Sequence, residues 1–299
     1  MTADSSTAAA AGELVRQWLA AGVANAATSA LLNPLDVAKT RMQTQVRGGG
    51  APSLRAALAA MHAEGGVLRG LFLPGLGASM VREMLSSGCR AGFYAPVRDA
   101  IARVVGDQGG AGGKGEHWAP KLSAAMTTGI IGSLVANPVD VVKIRLFNEP
   151  ARYLSLARAL AAVHKAEGVA GLYKGLAPST LRAAFIAAGE LGTYDVAKTA
   201  LKGVLPEEGV ALHVAASLVT GVVAAFVAAP FDLVKARAMA DDRQTVTIGS
   251  ALRQLRREGG LPWSLFRGVV PAYLRLGPHA LICFPIFERL RFALGLDYL

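Results

Sequence analysis

Pro34-Leu35-Asp36-Val37-Ala38-Lys39-Thr40-Arg41, Pro138-Val139-Asp140-Val141-Val142-Lys143-Ile144-Arg145 and Pro230-Phe231-Asp232-Leu233-Val234-Lys235-Ala236-Arg237 repeat one charged pattern inside otherwise apolar sequence. The prolines lie 104 and 92 residues apart, so the chain is a tandem triplication of units of roughly 100 residues. An Asp and a Lys three positions apart share one helix face, and at the end of a spanning segment such a pair needs partners from elsewhere. Three pairs related by a pseudo-threefold axis close a ring, which is the geometry of a gate.

The composition fits a membrane protein. Hydrophobic residues make up 53%, charged residues 17%, and the net charge is +10; mean hydropathy is +0.39. High apolarity with a basic excess fits a protein whose loops hold the positive charge. Nucleic-acid binding competes as an explanation of a pI near 9.9. It fits poorly, because the basic residues are scattered among helix ends rather than gathered on one polar face. Cys89 and Cys283 form neither a CxxC nor a metal-ligand pattern, so no metal or cofactor is expected. The N-terminal stretch holds Asp4 and Glu13, with only Arg16 before the first apolar run. It resembles neither a secretory signal nor a transit peptide, so targeting information is expected to be internal.

Uncharged runs of 18 to 23 residues separate Arg16 from Asp36, Lys121 from Asp140 and Glu208 from Asp232. Each is long enough to cross a bilayer core of roughly 30 Å as a helix. Small residues (Ala20-Ala21-Gly22, Ala124-Ala125 with Gly129, Ala215-Ala216-Ser217 with Gly221) allow close helix approach in lipid. At the end of each run Pro34, Pro138 and Pro230 remove a donor and are expected to kink or break the helix, swinging Asp and Lys toward a common axis. Second spans are predicted after Gly75, Gly175 and Gly268, running to about Val104, Lys202 and Leu294. Shorter amphipathic helices are expected near 53–64, 153–167 and 247–258, stopping at Glu64-Gly65, Glu167-Gly168 and Glu258-Gly259. The fold class is therefore all-α: six transmembrane helices as three repeats, 1–105, 106–204 and 205–299, each with two spans and a short helix. The Gly-rich stretch 106–115 reads as a flexible link.

A threefold Px[DE]xx[KR]x[KR], followed by EG and an aromatic-basic-Gly element, resembles the mitochondrial carrier family over the chain from about Trp18 to Leu294. The resemblance implies three helix pairs around a cavity that opens alternately to the two sides of the inner mitochondrial membrane. It implies a matrix gate pairing Asp36 with Lys143, Asp140 with Lys235, and Asp232 with Lys39. Gln43 matches the family's glutamine brace, whereas Phe147 and Met239 at the equivalent positions cannot brace. The short helices would lie on the matrix side. The second gate motif, [YF][DE]xx[KR], is matched by Tyr194-Asp195 with Lys198 and by Phe287-Glu288 with Arg291. The first unit has Ala95 in place of the acid, leaving Arg98. Pairs Asp195–Arg291 and Glu288–Arg98 are then possible and Lys198 loses its partner, so this cytoplasmic gate is expected to be weaker.

Seven residues beyond each glycine stand Arg82, Arg182 and Arg275. The helical rise puts each about 10 Å into its helix, near mid-membrane, where an unpaired charge is costly. Carriers resembling this chain place substrate contacts at these positions, and forked guanidinium donors suit carboxylate, sulfate or phosphate. Salt bridging within the bundle is the alternative. Glu83 follows Arg82 and projects about 100° away, toward a neighbouring helix or the cavity. Eight residues beyond the arginines the copies diverge to Arg90, Glu190 and Cys283, and Arg90 and Glu190 are expected to neutralise one another. The site then keeps a charge near three, or two if Glu83 contributes, which suits a small dianion. His279 could bind substrate, carry a proton or simply pack.

Within the family the chain is most similar to the dicarboxylate, oxoglutarate and uncoupling-protein branch. The expected function is exchange of small anions, C4 dicarboxylates or inorganic oxyanions, by a monomer in the inner membrane, with no enzymatic activity. Membrane lipids, cardiolipin among them, are the other expected partners. The alternative is a regulated, fatty-acid-dependent proton leak. Against it, Ser29 occupies the position where members of that group carry an acid.

Overall fold

In the computed structural model, residues 2–44, 53–105, 118–153, 155–201, 210–240 and 268–296 are described, with short pieces at 249–250, 253 and 263–266. The first repeat supplies α1 (Thr2–Leu31), α2 (Asn33–Thr44), α3 (Leu54–Gly66), a π-helical turn (Val67–Phe72) and α4 (Leu76–Val105). The second supplies α5 (Trp118–Asn148), the single turn α6 (Pro150–Tyr153), α7 (Leu156–Leu172) and α8 (Leu176–Leu201). The third supplies α9 (Val210–Ala240), a 3-10 turn (Trp263–Phe266) and α10 (Val269–Ala293). The third short helix expected near 247–258 and the link at 106–115 lie outside the described residues.

The motif prolines act unequally. Before Pro34 the helix is interrupted at Leu32, whose carbonyl accepts from Leu35 at 3.0 Å and Asp36 at 3.3 Å, so the first long helix is split into α1 and α2. Pro138 and Pro230 lie inside α5 and α9, which continue through them. The preceding residue matters too. Asn33 donates Nδ2 to the carbonyls of Phe72 (2.7 Å) and Pro74 (2.9 Å), and Asn137 to those of Leu172 (2.8 Å) and Lys174 (3.3 Å). Each side chain ties an odd helix to the loop leading into its even partner. The third repeat has Ala229 there and lacks this tie.

The even helices start where expected, each after a glycine at positive φ: Gly75 (59°), Gly175 (74°) and Gly268 (85°). These positions also admit a neighbour. A Cβ on Gly75 would lie 2.7 Å from the Phe147 ring, on Gly175 2.9 Å from Met239 Cγ, and on Gly268 3.1 Å from Gln43 Cγ. The short helices stop as predicted in the second repeat, at Gly168 with φ of 66°. In the first, Gly65 is extended and it is Gly66, φ 68°, that adopts the positive value.

Helix α1 packs along α4, α4 along α5, α5 along α8, α8 along α9, α9 along α10 and α10 along α1, closing a ring of six. At one end α2, α5 and α9 also touch one another. The apolar core gathers there, with Val37, Met61, Val142, Phe147, Leu233 and Met239 almost fully buried. Large apolar side chains such as Val196, Leu281 and Phe292 stand exposed elsewhere, as a lipid-facing surface requires. Among the described residues only Val219–Ala240 is apolar and long enough to read as a span by composition alone. The other long helices carry polar residues that face the ring's interior, Arg82 and Glu83 on α4 among them.

The small-residue seams expected from sequence are present in the first two repeats. Gly22 abuts Met84, Gly129 abuts Ala183, and Gly132 abuts the Ser86 backbone. The tightest is Gly88, where a Cβ would lie 2.5 Å from the Trp18 indole nitrogen. Overpacking of this kind costs about 1–3 kcal/mol. Gly88→Val is therefore expected to lower the unfolding temperature of the detergent-solubilised protein, while Gly77→Ala, with nothing within 4 Å of the new Cβ, leaves it unchanged.

Candidate functional site

The three octapeptides converge at the closed end of the ring. Lys39 lies 2.6 Å from Asp232, Lys143 3.2 Å from Asp36, and Lys235 2.6 Å from Asp140. These are the pairings that the family resemblance implies, each joining one repeat to another. In every case the lysine takes the Oδ2 oxygen.

The Oδ1 oxygens are taken by the three arginines of the even helices. Arg82 lies 2.9 Å from Asp140, Arg182 2.5 Å from Asp232 and Arg275 2.9 Å from Asp36. Each carboxylate is thus shared between one lysine and one arginine from two other chain segments, and the pattern repeats around the axis. Read from helical rise alone, the arginines belong to a separate layer. The structure joins them to the aspartate layer, because a guanidinium on an even helix reaches the carboxylate of the next repeat's odd helix.

Glu83 breaks the threefold. It turns inward rather than to an adjoining helix: its Oε1 lies 2.6 Å from Arg82 Nη1 and 3.4 Å from Arg275 Nη2. Ser87 Oγ donates to its other oxygen at 3.4 Å. Arg90 on α4 is exposed, and His279, one turn beyond Arg275 on α10, is half-buried. The side chain of Glu190 lies outside the described residues, as do those of Asp195 and Lys198.

A second ring, missed from sequence, lies at the octapeptides' last position. Arg41 Nε donates to the Phe147 carbonyl at 2.9 Å, Arg145 Nε to Met239 at 3.2 Å and Arg237 Nε to Gln43 at 3.2 Å. The signal was available, since arginine closes all three motifs. Gln43, Phe147 and Met239 are the brace positions, and each also packs on the glycine that starts an even helix. Phe147, expected to be unable to brace, holds its own Lys143 Nζ 5.2 Å from the ring centroid, so its aromatic face serves the lysine.

The EG glutamates anchor the same arginines. Glu64 lies 2.7 Å from Arg41, and Glu167 lies 2.5 Å from Arg145 and 2.6 Å from Lys174, the basic residue of the aromatic-basic-Gly element. Glu258 and Arg267 lie outside the described residues.

The other end is different. Arg98 pairs with its neighbour Asp99 at 2.8 Å, both half-exposed, rather than with Glu288, which is exposed. Asp99 stands one residue after the base and supplies the acid that Ala95 lacks, but locally. Arg291 lies over its own Phe287 ring at 5.6 Å. Arg16 Nη1 donates to the Leu294 carbonyl at 3.3 Å, joining the first and third repeats at this end.

A family model described as mitochondrial carrier protein matches residues 11–104, 114–205 and 206–297. The chain belongs to the mitochondrial carrier family. It is a multi-pass protein of the mitochondrial inner membrane, and its family consists of transporters rather than enzymes. Among curated relatives, "Mitochondrial citrate transporter F" of Aspergillus niger is 30% identical over 89% of this chain and 86% of its own length. "Mitochondrial uncoupling protein 2" of Arabidopsis thaliana is 32% identical over 86% and 87%. "Probable mitochondrial 2-oxoglutarate/malate carrier protein" of Dictyostelium discoideum is 28% identical over 92% and 89%.

Glu167 lies on a short helix of this carrier, outside the spans. Burial pushes its carboxyl upward, but the bonds from Arg145 and Lys174 outweigh that and hold it below the ordinary glutamate range. A lowered folded value stabilises the fold above the unfolded value of about 4.3, and that contribution is lost as pH falls through the folded value. Glu167→Gln is therefore expected to lower the unfolding temperature at pH 7. Wild type and variant are expected to converge as the pH is taken below about 4.

Proposed function

We propose that this carrier exchanges small dianions, C4 dicarboxylates or comparable inorganic oxyanions, by alternating access through the central cavity. The observation that carries the reading is the set of contacts from Arg82, Arg182 and Arg275 to the Oδ1 atoms of Asp140, Asp232 and Asp36. The arginines are matched to carboxylate oxygens that belong to the gate itself. A substrate carboxylate presents the same two acceptors and competes for the same forks.

The mechanism follows from that competition. An anion reaching the arginines takes them from the aspartates, and each aspartate is left with its lysine alone. The substrate draws the even helices together while the aspartate ring loosens, so binding at the site offsets the cost of opening the gate. Asp36, Asp140, Asp232, Lys39, Lys143 and Lys235 act as the matrix gate, with Gln43 and Phe147 supporting it. Arg98, Asp195, Lys198, Glu288 and Arg291 close the cytoplasmic side in the opposite state.

Relatives named for citrate and for 2-oxoglutarate/malate favour anion exchange. Relatives named as uncoupling proteins favour the second reading, a proton leak. Ser29, fully buried, weighs against the leak, since the resemblance calls for an acid there.

Liposomes containing the purified protein, preloaded with dicarboxylates, tricarboxylates, inorganic oxyanions or nucleotides, separate the readings. Fast counter-exchange of small anions is expected, with Arg82→Ala, Arg182→Ala and Arg275→Ala each reducing it about 10²-fold or more. Undiminished exchange in all three variants contradicts the assignment. Fatty-acid-stimulated proton flux without exchange replaces it with the leak.

A further inference from the structure

We propose that Glu83 is a built-in counter-anion that sets the charge of the accepted substrate, favouring dianions over trianions. The inference rests on the anion-exchange reading above and adds a specificity determinant to it.

Its position is unique among the repeats. Arg82 is followed by Glu83, whereas Arg182 is followed by Ala183 and Arg275 by Leu276. Glu83 is only 5% exposed, so little water screens its charge. Through one oxygen it touches both Arg82 and Arg275, which also hold Asp140 and Asp36. Two of the three guanidiniums therefore serve two carboxylates each. Among the described residues Arg182 pairs with Asp232 alone, and its side chain is 36% exposed against 23% and 24% for the other two. An entering anion finds Arg182 the most open, and it shares Arg82 and Arg275 with Glu83.

Counting charges decides what fits. Three lysines and three arginines face Asp36, Asp140, Asp232 and Glu83, so six cations meet four carboxylates and two positive charges remain. A dianion neutralises the layer. A trianion leaves one negative charge uncompensated where the dielectric is low, which is costly. Glu83→Gln keeps the side chain's shape and raises the layer's charge by one; Glu83→Asp keeps the charge.

The test is the ratio of citrate to malate uptake into malate-loaded liposomes, at a pH where citrate is a trianion. The ratio is expected to rise about tenfold or more in Glu83→Gln and to stay at the wild-type value in Glu83→Asp. An unchanged ratio in Glu83→Gln, with both rates altered equally, overturns the proposal and shows a purely structural ion pair. Wild-type protein exchanging neither anion overturns the exchange reading itself.

If Glu83→Gln does not insert, the wild type decides. Its citrate-to-malate ratio is expected to rise as pH falls through citrate's last ionisation, which converts trianion to dianion while malate stays doubly charged. A flat ratio overturns the proposal. The charged and titratable groups around Glu83 are Arg82 on α4, Asp36 on α2, Lys143 on α5, and Arg275, His279 and Cys283 on α10. Any change of charge among these groups acts on both anions and is separated by following each rate alone.

Discussion

A carboxylate has two oxygens, and in this carrier Asp36, Asp140 and Asp232 each engage a lysine with one and an arginine with the other. Everything else at the closed end serves that sharing. Removing charge from water is expensive, and attraction in a low-dielectric interior repays it only when geometry is good and the remaining lone pairs are satisfied. Three aspartates with both oxygens engaged meet that condition. The lysine contacts join odd helices to one another, and the arginine contacts join odd helices to even ones, so both sets of helices form one ionic unit.

That unit sits above an apolar plug and a second polar ring. Val37, Val142, Leu233 and their neighbours exclude water from the closed end. Beyond them Arg41, Arg145 and Arg237 bond carbonyls of the adjacent repeat, and Glu64 and Glu167 hold two of these arginines from the short helices. The repeated geometry distributes these contacts over three interfaces. At the opposite end the Arg98–Asp99 pair is local and ties no repeats together.

Much of this was legible in the chain. Three copies of Pro-x-Asp-x-x-Lys in register indicate that aspartates and lysines close a ring, and the family resemblance supplies which aspartate meets which lysine. The even-helix starts were equally readable, since Gly75, Gly175 and Gly268 need positive φ and receive a side chain from the adjoining repeat. What was hidden depended on relative depth between helices. Arg82, Arg182 and Arg275 could be placed along their own helices but not against Asp140, Asp232 and Asp36. The inward turn of Glu83, the cation–π support from Phe147 and the local pairing of Asp99 were hidden for the same reason. The unequal effects of Pro34, Pro138 and Pro230 likewise depend on surroundings rather than on the proline itself.

The central claim is that substrate and gate aspartate compete for the same guanidinium. A double-mutant cycle on Asp36→Asn and Arg275→Gln, read as equilibrium affinity for malate, tests it most directly. Removing the competitor is expected to tighten binding, by about tenfold, and the gain is expected to disappear when Arg275 is already Gln. An Asp36→Asn effect that is absent, or equal in both backgrounds, would mean the arginine and the aspartate act independently and would contradict the account.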